Sequence, residues 1–84
     1  MSEAELAVER ARSQMTAART KMRAAHTNAA RLYARYNAEE NDDASATLGQ
    51  AWEGAVEAAA LATRHYNGTV LRLNNAKLAA AGAA

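Results

Sequence analysis

Cysteine, proline and phenylalanine are absent from this chain of 84 residues, and tryptophan occurs once. Without cysteine there is neither a disulfide framework nor a thiolate metal site, and nothing in the composition fixes a redox compartment. Without proline, no interior position is barred from a helix. Long apolar runs are missing too. No stretch approaches the roughly 18 to 20 residues needed to cross a bilayer, so membrane insertion is not expected. The opening residues Met1-Ser2-Glu3-Ala4-Glu5 are acidic and lead into no apolar block, which argues against a cleavable signal peptide. The expectation is a soluble chain made in the cytoplasm. Any export would use a route that does not read such a signal, and incorporation into an assembled particle is equally compatible.

What fills the sequence is alanine. Half the residues are apolar, but alanine dominates them and brings helix propensity rather than buried area. A chain of this length makes one domain, residues 1–84, with little room for a core. Net charge is near zero but unevenly spread. From Arg10 to Arg35 there are seven basic residues and no acid; from Glu39 to Glu57 there are six acids and no base. Such asymmetry points to an electrostatic partner or to packing between copies, and also arises from two solvated helix faces.

Apolar residues recur at heptad spacing on both sides of Asn37–Ser45, where acids and asparagines interrupt the pattern. Val8, Met15, Met22, Ala29 and Tyr36 form one column, and Ala4, Ala11, Ala18, Ala25 and Leu32 its companion. Beyond the interruption the columns are Ser45, Trp52, Ala59, Tyr66, Leu73, Ala80 and Leu48, Ala55, Ala62, Thr69, Ala76. The predicted fold is an all-α antiparallel two-helix hairpin, with helices near 3–38 and 43–80. Ser2 caps the first, with Glu5 completing a capping box; Asp42 or Asp43 caps the second. Folding back near residue 42 pairs positions whose numbers add to 84, such as Leu32 with Trp52 and Ala11 with Leu73. Asn67-Gly68 is a turn signal that predicts a possible kink in helix 2, and the end is expected to fray around Gly82.

A core this thin barely offsets the entropy of ordering two helices. Leu61, Gly68, Leu71 and Leu78 form a second stripe on the outer face of helix 2, a candidate oligomer interface; scattered surface leucines are the plain alternative. A four-helix bundle or larger oligomer follows, with the chain itself or a similar helical hairpin as partner. Arg12, Arg19, Arg23 and Arg31 of helix 1 are a candidate anion or partner face, for phosphate backbones or for the acidic turn of another copy. Nothing resembles a base-reading motif, so nucleic acid is the lesser candidate. His26 and His65 have no ligand spacing around them, and no nucleophile lies beside a base. No enzyme activity, cofactor or metal is expected.

Leu48-Gly49-Gln50-Ala51-Trp52-Glu53-Gly54-Ala55 is the one segment with a family look. A small, cysteine-free helical hairpin with Trp52-x-Gly54 near its middle resembles the WXG (ESAT-like) family of type VII-secreted proteins. The resemblance implies homodimeric or heterodimeric four-helix bundles that leave the cell without a cleaved signal. It also implies a turn at Trp52–Gly54, whereas the periodicity puts the turn about ten residues earlier. The family's Tyr-x-x-x-Asp/Glu after helix 2 has no counterpart, since Tyr66 is followed four later by Val70. The functional expectation is a non-enzymatic interaction or assembly subunit. A filament or virion component, and a nucleic-acid-associated protein, are the alternatives.

Overall fold

The computed structural model describes residues 1–83 and consists of two helices, α1 (Glu3–Ala38) and α2 (Asp42–Ala83), packed along their length as a hairpin. The result is a rod of 63 × 15 × 12 Å. Its radius of gyration is 18.7 Å, against about 12 Å for a compact domain of this length.

α1 starts as its capping residues dictate. Ser2 is in extended conformation, and its hydroxyl accepts from the Glu5 N–H at 3.1 Å. Glu3 and Glu5 then sit in the first turn, where the helix dipole favours acids, and Arg35 sits in the last. The turn is three residues, Glu39 to Asn41. Glu39 leaves the helix with φ −79° and ψ 127°, and its carboxylate accepts from the Asn41 N–H at 3.0 Å.

That brace decides which residue caps α2. The cap is Asn41, not Asp42 or Asp43: its side-chain oxygen accepts from Ala44 N–H at 3.0 Å and its carbonyl from Ser45 N–H at 2.8 Å. Asp42 and Asp43 instead occupy the first helical turn, where their charge meets the positive end of the dipole.

α2 is longer than the expected 43–80 and continues to Ala83. It passes through Asn67-Gly68 without a break, and no glycine among the described residues has positive φ. The flanking packing explains the continuity. Tyr66 and Leu73 hold the same seam on either side of the pair, and Thr69, the most buried residue, closes it with its hydroxyl donated to the Tyr66 carbonyl at 2.6 Å. At the C-terminal end the alanine run carries the helix past the expected fraying point.

The heptad columns are the seam. Of their members only Tyr36, next to the turn, is exposed; the rest are buried or half-buried. The fully buried apolar residues are Ala11, Ala18, Ala29, Ala55, Ala59 and Leu73, so five of six contribute one methyl group each. Alanine lets the helices approach closely but removes little apolar surface from water.

Cross-helix contacts fix the register. The Arg19 guanidinium lies 6.0 Å from the centre of the Tyr66 ring, Tyr33 packs on Trp52 with centroids 5.1 Å apart, and the Tyr36 ring lies beside Gly49. These pairs add to 85, Tyr36–Trp52 to 88 and His26–Thr63 to 89. In each, a side chain at or beside the seam leans across it, around columns expected to pair at 84. Trp52 therefore has two tyrosines beside it, Tyr33 tilted and Tyr36 nearly parallel at 6.4 Å. Gly49 makes room for this cluster, because a Cβ there would sit 3.1 Å from Tyr36 Cε2.

Candidate functional site

No helix among the described residues is long and apolar enough to cross a membrane, and no cluster of three or more His, Cys, Asp or Glu there could hold a metal ion. Two open grooves lie between the helices. One, of about 340 Å³, lies near the chain ends beside Val8, Lys77 and Ala80. The other, of about 270 Å³, runs past Ala18, Lys21, His65 and Thr69. The second brings Gln14, Lys21, His65, Thr69 and Arg72 to one groove, but it is open to solvent and does not enclose a small substrate.

The histidines fall apart as their spacing implied. His26 Nε2 lies 2.8 Å from Thr63 Oγ1, bridging the helices beside the seam. The Thr63 hydroxyl donates to the Ala59 carbonyl at 2.9 Å, so His26 donates from Nε2 and Thr63 accepts. His65 lines the second groove instead. The His26–Thr63 bond went unseen in the sequence because both residues flank the heptad columns, and their numbers add to 89 rather than 84.

The four arginines of the candidate anion face do not form one cluster. Arg12 is in an exposed ion pair with Glu9 at 3.3 Å, and Arg19 lies over the Tyr66 ring. Both share one heptad position beside the seam. Arg23 and Arg31 are exposed and occupy two other heptad positions on the outer surface of α1. Trp52 and Gly54, the motif residues, lie within α2: Trp52 is half-buried against the tyrosines, and Gly54 is exposed with open space where a Cβ would be.

The outer stripe of α2 is the most coherent apolar surface. Leu61, Leu71 and Leu78 are 56%, 64% and 71% exposed. Gly68 between them is half-buried, and no atom lies within 4 Å of where its Cβ would stand. Heptad geometry makes this face continuous: Gly54, Leu61, Gly68 and Asn75 form one column, and Glu57, Arg64, Leu71 and Leu78 run beside it. Single exposed leucines are unremarkable on any protein, but three in one seam, with a glycine hollow between them, are a surface shaped like the inside of a bundle.

The total surface carries the same message. The chain exposes 6028 Å², while folded monomers of 8.9 kDa expose about 4,800 Å². The excess, roughly 1,200 Å², spreads over the whole rod and is more than the roughly 800 Å² that each partner of a standard interface covers, so the elongated shape leaves ample surface for one. Comparison with protein-family models, with curated proteins and with solved structures finds no match.

Proposed function

We propose that this hairpin is a non-enzymatic assembly subunit, which completes its burial by packing the outer face of α2 against another helical surface. The observation that carries the reading is the exposure of Leu61, Leu71 and Leu78 along one heptad seam, on a hairpin whose own core is almost entirely alanine. Two helices whose buried seam is mostly alanine gain little burial to set against the ordering of their backbone. A second layer supplies it. The reading does not need Trp52-x-Gly54, since Trp52 is accounted for by its stacking on Tyr33 and Tyr36 within the hairpin. Kinship with the WXG family remains compatible with a subunit of this kind, as does a place in a larger particle.

Light scattering on a sizing column tests the reading. A rod 63 Å long elutes early for its mass, so the mass must be measured rather than inferred from elution. The expected result is a discrete multiple of 8.9 kDa at both low and high salt, because apolar burial is not screened. A monomer at every concentration would rule out self-assembly. Large species that dissolve with salt would shift the explanation to the opposed charges of helix 1 and the turn.

A further inference from the structure

Resting on that reading, we propose that the partner of the α2 outer face is a second copy of this chain, packed antiparallel about a two-fold axis level with Tyr66. Three exposed leucines on one face call for an occupant, and the arrangement of residues along the stripe selects which. In a two-helix seam, antiparallel packing sets one heptad column against the other, whereas parallel packing sets each column against itself.

Parallel packing fails on charge. It would bring Glu57 against the partner's Glu57 and Arg64 against the partner's Arg64, both pairs inside the seam, where like charges are unfavourable. Antiparallel packing moves the two Glu57 residues about 27 Å apart along the axis. It also lays the acidic N-terminal half of the face, with Glu53 and Glu57, along the C-terminal half that carries Arg72. Among the described residues none of these four groups, Glu53, Glu57, Arg64 and Arg72, has an ion-pair partner within the hairpin, the one such pair being Arg12–Glu9.

Side-chain size and charge together pick the register. With paired positions adding to 132, Leu61 meets the partner's Leu71, and Leu78 meets the partner's Gly54. The Arg64 stem crosses the open hollow at the partner's Gly68, with its charged head free to reach water. Glu57 meets the partner's Asn75, one turn from the partner's Arg72. Each leucine faces either another leucine or a glycine hollow. A slip of one heptad in one direction sets Leu61 against Arg64 and Leu78 against Thr47. A slip in the other still sets Leu61 against Leu78 and Leu71 against Gly68, but it sets Glu57 against Gly82 and away from Arg72. Only the central register pairs the leucines and the charges together.

The absence of cysteine makes the test direct. Ala46→Cys and Asn74→Cys, at exposed positions four heptads apart on one flank of α2, each carry one spin label per chain. Pulsed dipolar spectroscopy then reads the label-to-label distance, with light scattering on the same samples. The antiparallel pair places the labels roughly 60 Å apart at position 46 and roughly 25 Å apart at position 74. Those two distances in a dimer would support the proposal. A dimer with both distances below about 20 Å, as parallel packing gives, would overturn it and leave the assembly reading standing. Any larger assembly lacking the pair of distances would do the same. A monomer throughout would overturn both.

Discussion

Replacing Leu73 with alanine should destabilise the protein by about 2 to 5 kcal/mol, the cost of deleting a buried leucine side chain. Leu73 is 5% exposed and is the one large side chain among the six fully buried apolar residues. Its expected opposite number in the seam, Ala11, is buried too, and alanine has no further side chain to swing into the gap. The cavity would therefore persist. In a thermal melt followed by circular dichroism, the midpoint should fall by roughly ten degrees or more, given several degrees per kcal/mol for a domain of this size. Leu6→Ala, at an exposed position on α1, serves as control and should change stability by no more than about 0.5 kcal/mol. A Leu73→Ala variant that melts with the parent would mean that the hairpin seam is not packed as described.

The double variant Leu71→Lys with Leu78→Lys should have the opposite profile. Both leucines face solvent in the hairpin and lysine is a good helix former, so no contact within a chain is lost. Any loss of helicity or thermal stability should come from the missing second layer alone. Association should weaken on the order of a hundredfold or more, because two of the three leucines on the face become charges that must be desolvated. In a two-fold arrangement each substitution acts twice, once in each copy. Mass by light scattering at a concentration where the parent is fully associated should fall to that of a single chain. Unchanged mass would show that these leucines are not in the interface and would move attention to another surface.

Much of this fold was legible because one periodicity runs the length of each helix. Val8 to Tyr36 and Ser45 to Ala80 keep strict seven-residue phase, and the seam they define differs from the observed one only at exposed Tyr36. Ser2 was readable as a cap because nothing beside it competes. At the other helix three consecutive residues, Asn41, Asp42 and Asp43, can each cap, and the choice fell to Asn41 through the Glu39 carboxylate holding its N–H. No local rule in the sequence ranks the three.

The seam columns were readable, but which side chains beside them lean across the seam was not. Heptad arithmetic pairs Trp52 with Leu32, but a large ring at a seam position leans to one side, and here the neighbouring space is bordered by Tyr33 and Tyr36. The glycine that admits the Tyr36 ring, Gly49, sits next to the expected partner Leu48. The outer stripe was visible as spacing alone. Its exposure, and the open space at Gly54 and Gly68, required the three-dimensional arrangement.

The central claim is that this hairpin is incomplete until a second helical layer covers α2, and the concentration dependence of thermal unfolding tests it most directly. When folding and association are linked, mass action raises the melting temperature with protein concentration. The account predicts a midpoint that climbs by several degrees over a hundredfold range of concentration, with a single cooperative transition. A sharp transition at one temperature, whatever the concentration, would mean that the alanine seam folds alone and that the leucines of the outer face have no part in its stability.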